Sequence, residues 1–123
     1  MIFEIMSPYD VPEHFGKRGS VIVDIRELEA YEMAHIPTSK HYSMLGANET
    51  LEDNIEAFDV FEDIIIYCHH GTSSIKVGLD LCMKLNKRER KVEGTVYSLY
   101  GGIDNYSGMK LEKKDFRENV LTK

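Results

Sequence analysis

The chain has 123 residues, enough for one compact domain with a real hydrophobic core, and its 42% apolar and 29% charged residues are those of an ordinary globular protein. A net charge of −6 argues against nonspecific nucleic-acid binding and against adhesion to an anionic membrane, and no apolar run approaches the ~20 residues of a membrane span. Met1 to Asp10 lacks the basic and long apolar stretches of a secretory signal, so a cytoplasmic protein with reduced thiols is expected.

Ile2 to Met6 reads as a short strand. Ser7-Pro8-Tyr9-Asp10 has the order of a helix start, with Ser as N-cap, Pro at the first helical position and an acid in the first turn. That short helix packs Val11 and Phe15 inward and ends over Gly16 to Gly19. Val21-Ile22-Val23 is an apolar run of parallel-strand type ending at Asp24. Glu27 to Met33 predicts a helix of one or two turns, stopped before Pro37, and Lys40 to Met44 a weak strand. Asn48 or Thr50 caps a helix toward Phe58, with Leu51, Ile55 and Phe58 on one face. Ile64 to Tyr67 is the central strand. From about Ser74 to Leu85 the spacing becomes helical, and Ile75, Gly78, Leu79, Cys82 and Leu85 form the apolar stripe. Lys76, Asp80 and Lys84 lie opposite, as i, i+4 charge pairs. A charged connection over 86–91 leads to a strand over Thr95 to Leu99. Gly101-Gly102 then turns the chain into a brief helix near Ile103 to Tyr106. Strands alternating with helices imply an α/β domain on a parallel sheet. The domain is expected over 1–107, followed by a charged tail over 108–123, helical or partly disordered.

The order Ile64-Ile65-Ile66-Tyr67-Cys68-His69-His70-Gly71-Thr72-Ser73-Ser74 carries the chemistry. It puts a thiol at the carboxyl end of a strand, in a loop that leads into a helix amino terminus. Unpaired N–H groups there favour negative charge, and thiols in such positions ionise more readily. Gly71 permits a turn of the backbone amides inward, and Thr72, Ser73 and Ser74 add small hydroxyl donors, so the loop suits an anion cradle. Ligands of open α/β sheets bind at the carboxyl ends of strands, where this loop lies. The competing reading of a single cysteine at a strand end is a small buried hydrophobe. Cys82, on the apolar stripe of the helix, reads as core, and the two cysteines fit neither a disulfide framework nor a Cys-x-x-Cys metal pair.

The loop Cys68-His69-His70-Gly71-Thr72-Ser73-Ser74 resembles the active-site loop of rhodanese-like sulfurtransferases, especially the short single-domain thiosulfate sulfurtransferases. Three further segments match that family in order. Val21-Ile22-Val23-Asp24-Ile25-Arg26-Glu27 resembles its (L/I)-(I/V)-D-V-R-E strand and turn, and Tyr31 to Pro37, ending His35-Ile36-Pro37, its GHIP segment. Val96-Tyr97-Ser98-Leu99-Tyr100-Gly101-Gly102-Ile103 resembles its V-Y-x-L-x-G-G strand and turn. The resemblance implies a rhodanese-like α/β fold, a five-stranded, mainly parallel sheet flanked by helices on both faces. It implies that Cys68 takes a sulfane sulfur from thiosulfate or a persulfide donor, becomes a persulfide, and passes the sulfur to cyanide, a thiol or a protein cysteine, by ping-pong catalysis. The substrate site is then the loop His69, His70, Gly71, Thr72, Ser73 and Ser74, with no metal, no organic cofactor, no nucleic acid and no membrane partner.

The chain departs from the family where many members carry Arg or Lys in the loop. Here His69 and His70 stand instead, as donor-attracting imidazolium groups below about pH 6.5 or as solvent-facing residues. Ala34 stands where Gly is usual and Tyr106 where Trp is usual. The connection over 86–94 is longer and more charged, and with the tail it is a docking surface or a solvated face. Adjacent histidines beside one cysteine make a poor tetrahedral zinc set. Asp24 and Arg26 read as a structural ion-pair brace, and His35 as a packed hinge residue. A cysteine phosphatase would need an Arg six residues beyond Cys68 to grip phosphate bidentately, and that position is Ser74. The remaining alternatives are a non-catalytic binding or regulatory module on the same fold, and a protein-to-protein persulfide relay.

Overall fold

A computed structural model describes residues 1–44 and 50–113. In chain order these form β1 (Ile2–Met6), a 3-10 helix over Pro8–His14, β2 (Ser20–Asp24), α1 (Leu28–Met33), β3 (Ala34–His35) and β4 (Lys40–His41). There follow 3-10 turns over Glu52–Phe58, β5 (Asp63–Tyr67), α2 (Ser73–Asn86), β6 (Thr95–Leu99), a 3-10 turn over Ile103–Asn105 and β7 (Leu111–Glu112). Five strands make one parallel sheet in the order β1-β6-β5-β2-β4. Strand β5 is central. Its Ile65 faces Ile22 of β2 on one side and Tyr97 of β6 on the other.

Ile64 through Tyr67 are all fully buried, the expected state of a strand covered on both faces. Alternate residues therefore serve two cores. Val21, Val23, Ile64, Ile66 and Val96 pack against Leu81, Cys82 and Leu85 of α2 and against Leu51 and Phe58. Ile22, Ile65, Tyr67 and Leu99 pack on the opposite face against Val11, Ile36, Ile103 and Tyr106. The first helix starts as its sequence dictates: the Tyr9 N–H donates to Ser7 Oγ at 3.3 Å, Pro8 is the first helical residue and Val11 is buried. Its turns are 3-10 rather than α, with Pro12 inside; that residue has no N–H to donate.

Three expectations change in tertiary context. The buried face of α2 is Ser74, Gly78, Leu81, Cys82 and Leu85, while Ile75 and Leu79 are 38% and 46% exposed. The helix is turned so that polar Ser74 points inward, and Gly78 lies against Phe3, where a Cβ would come within 2.6 Å of its ring. The segment before Phe58 is broken at Asn54 (φ −121°, ψ 23°) rather than one helix. Thr50 Oγ1 accepts the Asp53 N–H at 3.2 Å, and the Asn54 side chain donates to the Thr50 carbonyl at 2.7 Å, a local bond that competes with the helical ladder. Asn48 lies outside the described residues. Finally, the chain beyond 107 contributes a strand, since Leu111 and Glu112 pair antiparallel with His35 and Ala34. Tyr106 takes part in that turn by donating its hydroxyl to the Met109 carbonyl at 2.9 Å. Residues 114–123 lie outside the described residues.

The charged connection after α2 is a clamp as well as a surface. Arg90 donates to the Phe58 and Phe61 carbonyls at 2.7 and 2.6 Å, and Arg88 forks onto Asp59 with Nε at 2.9 Å from Oδ1 and Nη2 at 2.7 Å from Oδ2. The Arg88 guanidinium holds the Asp59 carboxyl below the usual carboxylate range. On the exposed face of α2, Lys84 pairs with Asp80 at 2.8 Å and with Glu52 at 3.0 Å.

Candidate active site

Cys68 follows the last residue of β5, and α2 begins five positions later. Between them the backbone reverses at Gly71, whose φ of +92° places it in the region that glycine alone adopts freely. The reversal aims the Gly71 N–H at Cys68 Sγ, 3.1 Å away. Ser74, the second residue of α2, adds its N–H at 3.3 Å, one of the donors that a helix start leaves without an intrahelical partner. Ser74 Oγ lies 3.3 Å from the same sulfur and 2.6 Å from Ser98 Oγ of β6. The sulfur thus meets two amides and a hydroxyl at the positive end of a helix of 14 residues, an environment that favours an anion. Cys68 is 6% exposed and faces these donors. Cys82, the other free thiol, is packed in the core as its place on the helix predicts.

A second turn holds the loop from behind. The Ile103 N–H donates to the Cys68 carbonyl at 3.0 Å, and the Asp104 N–H to the His69 carbonyl at 3.1 Å. This close approach requires Gly102, which sits at φ +66°, ψ −168°, a conformation essentially confined to glycine. A Cβ there would stand 2.3 Å from the His69 carbonyl oxygen and 2.6 Å from that of Cys68. Gly102→Ala is expected to cost more than about 2 kcal/mol and to displace the loop, because strain and backbone overlap act together. A urea midpoint within error of the wild type would overturn this account of the turn.

The wall beside the loop is built on the Asp24–Arg26 brace. Asp24 Oδ2 receives Arg26 Nη2 at 2.7 Å and Nε at 3.1 Å, Asp24 Oδ1 takes the Arg26 N–H at 2.8 Å, and Arg26 Nη2 also donates to the Ala34 carbonyl at 2.7 Å. Both residues are buried. Burial pulls the Arg26 guanidinium pKa down, but its bonds to Asp24 more than offset this and hold it above the usual value. Tyr67 lies under the guanidinium, whose carbon is 5.6 Å from the ring centre, and its hydroxyl accepts the Ile36 N–H at 3.1 Å. Burial and the nearby Asp24 charge push the Tyr67 phenol far up, so it stays neutral. His35 stacks on Tyr31 with ring centres 4.0 Å apart and bonds the Tyr31 carbonyl at 2.8 Å, so its ring is packed.

The predicted loop residues divide into those that reach Sγ and those that do not. Gly71 and Ser74 supply the donors that reach Sγ. His69 and His70 point outward to carboxylates on either side: His69 Nε2 is 3.2 Å from Glu27 Oε1, and His70 Nδ1 is 2.9 Å from Asp104 Oδ2. The Glu27 carboxyl is held below its ordinary range by its own backbone N–H and by the His69 ring. Thr72 precedes α2 without a side-chain cap bond. Ser73 instead borders a cleft of about 590 Å³ that runs along α2 beside Met44, Leu51 and Lys76. Sequence reasoning missed Asp104, which has no local signature, the contact of His69 with Glu27, the last residue of the strand-and-turn segment from Val21, and Ser98. Ser98 has a signal after the fact, as a polar residue between Val96 and Leu99 of a strand whose buried positions are otherwise apolar. Among the described residues, no group of three or more His, Cys, Asp or Glu side chains is arranged to hold a metal ion, and no helix is long and apolar enough to cross a membrane.

Fold and site together define a class: an α/β domain with a cysteine at the carboxyl end of its central parallel strand, cradled by amides at the start of the next helix. The chain belongs to the rhodanese-like domain family, whose pattern it matches over residues 7–109. It is 32% identical over 106 residues to thiosulfate sulfurtransferase GlpE of Coxiella burnetii, covering 86% of this chain and 89% of that protein. A GlpE of the same description from Pseudomonas fluorescens is 30% identical, with 79% of each chain covered. The fold also superimposes on a rhodanese-like domain protein of Staphylococcus aureus, with a TM-score of 0.64 and 23% identity over 87% of this chain and 92% of that one.

Proposed function

We propose that this chain is a thiosulfate sulfurtransferase in which Cys68 is the nucleophile and the sulfur carrier. The observation that carries the reading is the set of donors on Cys68 Sγ: the Gly71 and Ser74 amides at 3.1 and 3.3 Å, at the start of α2. The names of the GlpE relatives support the reaction class. In the first half-reaction the Cys68 thiolate attacks the outer sulfur of thiosulfate. A Cys68–S bond forms as the S–S bond of thiosulfate breaks, and sulfite departs with that bond's electron pair. The enzyme is left as a Cys68 persulfide anion. In the second, cyanide or a thiolate attacks the outer sulfur of the persulfide, takes it as thiocyanate or a new persulfide, and returns Cys68 as thiolate. Preorganised amides stabilise the anion in each resting form, as the donors of an oxyanion hole do. The loop His69 to Ser74 forms the donor site, its two imidazoles at the rim, and the reaction is placed in the cytoplasm, where thiols remain reduced. No metal or organic cofactor enters either step.

Mass spectrometry after incubation with thiosulfate tests this directly. One sulfur atom is expected on the Cys68 peptide, removed by cyanide with release of thiocyanate. A protein that loads sulfur only from a cysteine persulfide on another protein would be a relay rather than a thiosulfate enzyme. One that loads from neither would be a binding module. Phosphoryl transfer is disfavoured by Ser74, which occupies the position where a phosphatase loop needs a bidentate Arg.

A further inference from the structure

Ser98, the fourth of the five residues of β6, is 1% exposed and paired in register with Ile66, where a strand buried on both faces ordinarily carries an apolar residue. Its hydroxyl has one partner among the described residues, Ser74 Oγ at 2.6 Å, and Ser74 Oγ in turn lies 3.3 Å from Cys68 Sγ. Ser74 is fully buried as well, so neither hydroxyl has solvent as an alternative.

A hydroxyl carries one hydrogen to donate and two lone pairs, and this makes the three-atom chain directional. With Cys68 protonated and donating to Ser74 Oγ, Ser74 donates onward to Ser98, and the Ser98 hydrogen is left without an acceptor among the described residues. With Cys68 ionised, the order reverses: Ser98 donates to Ser74, Ser74 donates to the sulfur, and every hydrogen in the chain has an acceptor. The proton lost from Sγ goes to a base in solvent, while the serine pair loses none and only changes the direction in which it donates. We propose that Ser98 is a positioning residue that acts through Ser74 to hold Cys68 as the thiolate. This deepens the sulfurtransferase reading and rests on it for its purpose, because the thiolate is the attacking form. The geometric argument itself requires no sulfur donor.

The test is iodoacetamide labelling of the full chain across about pH 5 to pH 9, read by mass spectrometry on the Cys68 peptide so that Cys82 does not contribute. Ser98→Ala is expected to move the labelling profile to higher pH and to slow labelling at neutral pH about fivefold, the weight of one hydrogen bond. Ser98→Thr, which keeps the hydroxyl, restores the wild-type profile. Ser98→Cys, close in size but a weak donor, moves the profile as alanine does and supplies the result if the alanine variant does not fold. Because Ser98 acts only through Ser74, the double variant Ser74→Ala/Ser98→Ala labels no more slowly than Ser74→Ala alone. A wild-type profile in a folded Ser98→Ala or Ser98→Cys protein, or effects of the two alanines that add in full, overturns the proposal. Since labelling uses no donor, a wild-type chain with this behaviour that never loads sulfur would sink the sulfur-transfer reading and leave the role of Ser98 standing.

Discussion

Cys68→Ser is expected to abolish sulfur loading and to lower thiocyanate formation by about a thousandfold or more, the scale seen when a covalent nucleophile is removed. The substitution isolates chemistry from structure. A serine hydroxyl accepts the Gly71 and Ser74 amides as the sulfur does, so the loop keeps its donors and its bonds to the Gly101-Gly102 turn. What it loses is the sulfur nucleophile and the capacity to hold a second sulfur. Circular dichroism of the variant is therefore expected to match the wild type while peptide mass spectra show no gain. Sulfur on the Cys82 peptide, or residual turnover within about tenfold of the wild type, would remove Cys68 from its proposed role. Cys82 lacks that cradle: among the described residues its sulfur is approached by a single donor, the Asn86 side-chain amide, at 3.9 Å, where Cys68 Sγ has two backbone amides at 3.1 and 3.3 Å.

Asp24→Asn is expected to give the largest loss of stability, about 3–5 kcal/mol, because it leaves the Arg26 guanidinium buried without a counter-charge. Asparagine keeps the shape of the side chain and an oxygen for the Arg26 N–H, so the change tests the charge rather than the packing. The Arg26 guanidinium lies over the ring of Tyr67 and anchors the Ala34 carbonyl at the start of the β3–β7 ribbon. Loss of the brace is thus felt at the wall beside the Cys68 loop as well as in the sheet. Urea titration measures it as a lower midpoint at unchanged slope. A loss below about 1 kcal/mol would mean that water reaches the guanidinium and that the brace is a surface pair.

The strands were legible because burial on both faces leaves a plain trace in the sequence. Runs such as Val21-Ile22-Val23 and Ile64-Ile65-Ile66 have no other comfortable place than the centre of a covered parallel sheet, and there they lie. The Ser7-Pro8 start and the glycines at 71, 101 and 102 were legible for a different reason: their backbone preferences are local. The face of α2 was not. Its register turns on whether Ser74 or Ile75 points inward, and hydropathy favours Ile75. Ser74 goes inward because a hydroxyl 24 residues away and a sulfur six residues back satisfy it. The exposed Ile75 follows from that choice.

The partners of His69 and His70 had the same status. Nothing near the loop announces Glu27 or Asp104; the fold brings them there from the turn after β2 and the turn after β6. The antiparallel pairing of β7 with β3, Ala34 with Glu112 and His35 with Leu111, likewise joins segments far apart in the chain and is invisible to any local pattern. Local order was enough to set a thiol between a strand and a helix, and the resemblance of four segments to one family supplied the chemistry proposed for it. Which hydrogens point at that thiol, and which charges stand at its rim, came from elements distant in the chain, because hydrogen bonds and ion pairs are satisfied in space rather than along the backbone.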